Sequence, residues 1–178
     1  MKYPTVTTLG LALIATVCAL PAVAADLTVT MHRATQSGTS DSFGTITIAN
    51  ADGGAAFKLN LHGLPPGSHG FHVNENANCD PTMMNGVRIP AGAAGGHFDP
   101  ENTDKHAGPN GDGHLGDLPV LDVEGNSTAT QTLVAPRIKN IETLKGHSLI
   151  IQMGGDNYSD TPNLDGGGGG RLACGIVE

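Results

Sequence analysis

Phe57-Lys58-Leu59-Asn60-Leu61-His62 alternates apolar and polar residues without a break. Successive side chains of a strand face opposite ways, so this pattern predicts a strand with one face in a core and the other in water. The same period of two runs through Leu27, Val29 and Met31, and through Ile46 and Ile48 between threonines. Val120–Val123, Thr130–Val134, Leu149–Met153 and Leu172–Val177 are further short apolar runs, with Gly, Pro and Asn punctuating the chain between them. No segment sustains a helical period, and residues 137–145 allow one helical turn at most. Several short strands in about 150 residues predict a single all-β domain, an antiparallel sandwich or barrel.

Composition agrees with this reading and excludes other classes. The chain has 178 residues, 38% of them apolar and 3% aromatic, so its core must be built from Val, Ile, Leu and Ala. Nine basic against 17 acidic residues leave a net charge of −8, which argues against nucleic acid as a partner. Residues 1–25 read as a cleavable signal peptide. Lys2 precedes an uncharged apolar run from Leu9 to Leu20, Pro21 breaks it, and small residues follow at Ala22, Ala24 and Ala25. A lipid anchor on Cys18 is the rival reading, opposed by Val17 where a small residue would precede a lipidated cysteine. The run is short for a membrane span, so a mature domain of residues 26–178 is expected to be exported and free of the membrane. Removing the leader removes Cys18 and leaves Cys79 and Cys174. In an exported chain these suggest one disulfide, the alternative being two free buried thiols.

Two stretches are too long and glycine-rich for hairpin turns. One is Asn74–Leu118; the other is Gly154–Gly170, which ends in five glycines. Loops of this length are commonly functional. The first carries Gly95-Gly96-His97-Phe98-Asp99, then His106, then His114-Leu115-Gly116-Asp117. Three imidazoles and a carboxylate make a complete tetrahedral zinc set, and binding would fold the loop around the ion. A second group, Ser68-His69-Gly70-Phe71-His72-Val73-Asn74-Glu75, places His72 and Asn74 on one strand face. On a regular strand, His69, Phe71 and Val73 face the other way, and His69 alone reads as a structural histidine bonded to a backbone carbonyl.

Together these stretches resemble the copper/zinc superoxide dismutases in their bacterial periplasmic form. The resemblance rests on His69-Gly-Phe-His72, Gly95-Gly-His97-Phe-Asp-Pro, Lys105-His106, Gly113-His114-Leu-Gly-Asp117, Gly154-Gly155-Asp156-Asn157 and Gly170-Arg171-Leu-Ala-Cys174-Gly, in fixed order across residues 26–178. It implies an eight-stranded Greek-key β-barrel with two long loops, often dimeric, so a homodimer is an expectation. It implies zinc on His97, His106, His114 and Asp117, with His97 also bridging to copper. It assigns a disulfide to Cys79 and Cys174, guidance of superoxide to Arg171, and to Asp156 the tie between His106 and His72.

The sequence departs from this pattern at copper. Of the family's four copper histidines, His72 and His97 are present; Asn74 and Gln152 stand at the other two positions. His147 differs from Gln152 in strand parity and should face away. Amide oxygens are poor copper donors, so zinc should bind while copper is absent or weak and dismutation is lost or nearly lost. Two alternatives stand beside this. One is an active dismutase whose copper is held by His72, His97 and weak amide donors. The other is a periplasmic copper buffer or carrier, with Met83 and Met84 as soft donors against their plainer reading as loop residues.

Overall fold

A computed structural model describes residues 25–178; the leader, Ala25 excepted, and Cys18 lie outside the described residues. Twelve strands follow one another among the described residues: β1 (Leu27–Thr35), β2 (Gly38–Ala51), β3 (Gly54–His62), β4 (Gly67–His69), β5 (Phe71–Asn74), β6 (Thr82–Met84), β7 (Val87–Ile89), β8 (Leu121–Val123), β9 (Thr128–Ala129), β10 (Thr132–Ala135), β11 (Ser148–Gln152) and β12 (Arg171–Ile176). All pairings are antiparallel. The main sheet runs β10-β3-β2-β1-β12-β11-β5, with β9 also on β3. The first and last strands are therefore neighbours, and β3 is flanked by β10 rather than β4. These long connections are those of a Greek key, and the curled antiparallel sheet has the expected barrel-like fold, with one edge of β5 left outside its strand pairing.

Alternation places the core as the sequence predicts. Leu27, Val29 and Met31 of β1, Ile46 and Ile48 of β2, and Phe57, Leu59 and Leu61 of β3 are buried, while Lys58, Asn60 and His62 are exposed. Phe57 meets Phe71 edge-on, with ring centroids 5.6 Å apart at 88°. The 137–145 segment forms a short 3-10 turn at Ile141–Leu144, whose start is bonded by the Asn140 side chain to the amide of Glu142.

β5 and β11 differ from the other strands because both their faces are covered. Phe71, Val73, Leu149 and Ile151 belong to the barrel core. The register sets His72 opposite Ile150, Asn74 opposite Ser148, and Ile150 opposite Cys174. These residues therefore share the outer face, over which the long loop folds. Cys79 of that loop joins Cys174 of β12 in a disulfide, and Ala91 and Ala94 pack with Ile150 and Cys174 beneath it.

Two local expectations are corrected. The first long loop is not wholly irregular: β6 and β7 make a hairpin around Asn85-Gly86, so Met83 and Met84 lie on a strand. The strand expected from His69 through Val73 is interrupted at Gly70, because His69 belongs to β4, which pairs with β8.

Two stability changes are expected. Phe57→Ala should cost about 3–5 kcal/mol in urea unfolding, through lost transfer and a cavity. Reducing the disulfide, which closes a loop across a separation of 95 residues, should cost roughly 4–5 kcal/mol on the chain-entropy argument.

Candidate metal centre

The centre is assembled along the free edge of β5. The amide of Val73 donates to the carbonyl of Gly116, and the amide of Phe98 donates to the carbonyl of Val73. Isolated bridges pair His72 with Asp117 and Asn74 with His97. Backbone pairing thus brings two loop segments, 20 residues apart, against one strand. Arg137 holds the far side, donating to the carbonyls of Gly113 and His114.

Asp117 organises the donors. Its Oδ2 accepts from the amides of Ala107 and Gly108, at 3.0 and 3.2 Å. Its Oδ1 faces the Nδ1 atoms of His97, His106 and His114, at 3.1, 3.0 and 3.3 Å. Ligand atoms on a tetrahedral ion with bonds of about 2.0–2.1 Å stand about 3.3 Å apart. Asp117 Oδ1 therefore stands at ligand-to-ligand spacing from each of the three rings, and the buried Nδ1 of His106 makes no hydrogen bond. Ligand atoms of His72, His97, His106 and Asp117 lie within 4.8 Å of one another, as do those of His97, His114 and Asp165.

Asp156 sets the ring orientations. Its Oδ1 accepts from His106 Nε2 at 2.7 Å and from the amide of Tyr158, and its Oδ2 accepts from His72 Nε2 at 2.9 Å. With Nε2 donating, the neutral form of each ring carries its lone pair on Nδ1.

Around His72 the arrangement differs. The His72 and His97 rings stack, with centroids 3.8 Å apart and planes at 17°. A ring nitrogen's lone pair lies in the ring plane, so near-parallel stacked rings cannot aim both lone pairs at one ion between them. Asn74 Nδ2 donates to the carbonyl of Gly95, leaving Oδ1 unpartnered. Gln152 Oε1 is also buried and unpartnered. It runs between Gly70 and Gly168, where an added Cβ would lie only 2.3 and 1.9 Å from it, so a side chain at either position would have to displace the Gln152 carboxamide.

Arg171 also donates to the carbonyl of Gly95 and to that of Ala91. Burial lowers the pKa of Arg171, and the nearby Asp165 charge opposes this. His69 sits between the carbonyls of Gln152 and Pro65. His147 faces away from Gln152, stacking near Phe98 and contacting the carbonyls of Asn74 and Glu75. Met83 and Met84 are exposed neighbours on β6, so they point to opposite faces and form no thioether pair. Sequence reasoning missed Arg137, Asp160, whose Oδ2 accepts from the His106 amide, and Asp165. The only signal for Asp165 was a lone charge directly before five glycines.

In protein stripped of metal, these contacts set the pH profile. Burial works against charging His106, but Asp117 and Asp156 outweigh it and raise its pKa from 6.5 to about 10. That contribution is full below 6.5 and lost as the pH rises through about 10. Burial opposes ionisation of Asp117 and Asp156 as well, yet their histidine and amide partners hold both well below the usual carboxylate range. Their contribution is present above 3.8 and lost as the pH falls through the depressed values. Burial, aided by His97, lowers His72 to about 4, so stability also declines as the pH falls from 6.5 towards that value. Urea midpoints across the pH range should peak near 6.5, and Asp156→Asn should flatten the alkaline limb.

Comparison with known proteins adds a family. Residues 42–177 match the model of the family described as copper/zinc superoxide dismutase (SODC). A Salmonella typhimurium protein named superoxide dismutase [Cu-Zn] 1 is 53% identical over 153 residues, covering 85% of this chain and 86% of its own. The structure of Cu/Zn superoxide dismutase from Brucella abortus superposes with a TM-score of 0.85 at 49% identity, covering 86% of this chain and all of that one. A double mutant of a superoxide dismutase-like protein from Bacillus subtilis, both changes introducing histidine, aligns at a TM-score of 0.66 and 29% identity, covering 84% and 95%.

Proposed function

This chain belongs to the copper/zinc superoxide dismutase family, and from that membership we propose that it is an exported zinc protein with little or no dismutase activity. Residues 1–25 serve as the signal peptide and 26–178 as the mature periplasmic domain. Among the described residues no helix is long and apolar enough to cross a membrane.

Zinc is held by His97, His106, His114 and Asp117. Bound there, it would supply four bonds that fold the long loop around itself and would leave no open position for substrate, as in structural zinc sites. Asp117 directs one oxygen to the ion because two backbone amides occupy the other. Asp156 leaves the Nδ1 lone pair of His106 free for the metal.

Copper does not fit what stands beside zinc. The single observation that carries this reading is the stack of His72 on His97, flanked by the amides Asn74 and Gln152 instead of two more imidazoles. Dismutation needs a metal that cycles by one electron, which zinc cannot do. Losing a group that merely supports a metal costs about 10–100-fold in affinity or activity, and replacing two direct imidazole donors should cost more.

The relatives' names favour a second reading, an active superoxide dismutase in which Arg171 attracts the anion. One comparison separates the two. The parent protein and the Asn74→His, Gln152→His double variant are loaded with zinc and copper, then assayed for metal content, copper spectra and dismutation. The parent should hold about one zinc and little copper, with activity gained only in the variant. Comparable copper content and activity in both would establish the second reading.

A further inference from the structure

We propose that Asp165 is a transient zinc ligand, through which the ion enters and leaves the buried quartet. This rests on the reading above that the quartet holds zinc.

Asp165 is exposed, yet its carboxylate comes within 4.8 Å of ligand atoms of both His97 and His114. These are the outer two histidines of the quartet. The His114 and His97 side chains retain 12% and 6% of their exposure, while His106 and Asp117 retain none. Two donor sets therefore overlap. His97, His114 and Asp165 form an outer set that reaches solvent; the proposed zinc quartet of His97, His106, His114 and Asp117 is the inner one. Because both draw on the His97 and His114 rings, an ion moving between them exchanges Asp165 for His106 and Asp117 without leaving the neighbourhood of those two imidazoles. A carboxylate and two imidazoles are suitable donors for a borderline divalent cation such as zinc.

The fold holds Asp165 at this place. Asp160 accepts from the Asp165 amide through Oδ1 at 3.4 Å and from the His106 amide through Oδ2 at 2.9 Å. One carboxylate thereby links the glycine-rich loop to the inner ligand loop. The Asp165 charge also offsets the nearby Arg171 guanidinium, which would otherwise repel an incoming cation.

Zinc release distinguishes this role from simple attraction. A carboxylate that only attracts the cation retains it, so removing that charge hastens release. A stepping ligand lowers the barrier in both directions, so its removal slows release. Zinc-loaded parent, Asp165→Asn and Asp165→His proteins are mixed with an excess of a chromogenic chelator, and zinc transfer is followed in time. Each should begin with about one zinc per chain. Asp165→Asn should release it about tenfold more slowly, the lower end of what a group supporting a metal contributes. Asp165→His, a neutral residue that can still ligate, should release it at close to the parent rate. Unchanged or faster release from Asp165→Asn overturns the proposal, as does equal slowing in both variants. Absence of zinc from all three at the outset overturns the quartet reading itself, and the proposal with it.

Discussion

The unpaired edge of β5 is the constraint from which the centre is built. A strand end with open amides and carbonyls must find partners, and here two segments of one loop supply them. The Val73 amide and carbonyl are taken by Gly116 and Phe98, and the same pairing sets Asp117 beside His72 and His97 beside Asn74. Satisfying the sheet edge and gathering the donors are one event. The disulfide from Cys79 to Cys174 and the two bonds from Arg137 hold the rest of the loop to the barrel.

Two carboxylates then divide the work of orientation. Asp117 offers one oxygen to the three Nδ1 atoms because its other oxygen is occupied by backbone amides. Asp156 joins His106 to His72 through their Nε2 atoms. Both carboxylates are buried, and a buried charge survives only when it is paired. The histidines and amides supply that pairing, so the same contacts that orient the rings also keep the carboxylates ionised. Around Asn74 and Gln152 the balance is poorer. Their oxygens are buried without partners, while the Asn74 amide nitrogen and Arg171 are both bonded to the carbonyl of Gly95.

Much of this was legible in the chain because its signals are local. The alternation at Phe57–His62 maps onto β3, and Leu27, Val29 and Met31 map onto the buried face of β1. The spacing of His97, His106, His114 and Asp117 marks candidate donors, and the fold brings the three rings to the one carboxylate. The hairpin carrying Met83 and Met84 was less readable, since its side chains are exposed on both faces and leave no apolar period. The break at Gly70 was hidden for a related reason: alternation does not reveal where a strand changes partner.

The sequence by itself determined the strand period, a set of candidate donors, the presence of amides at positions 74 and 152, and the two cysteines available to pair. Each of these is a property of residue type or short spacing. The tertiary structure alone decided that His72 lies flat against His97, that Gln152 threads between Gly70 and Gly168, and that Asp165 reaches two histidines some 50 and 70 residues before it. Lone pairs and carboxylates have direction, and direction comes from packing between segments that periodicity along the chain does not encode.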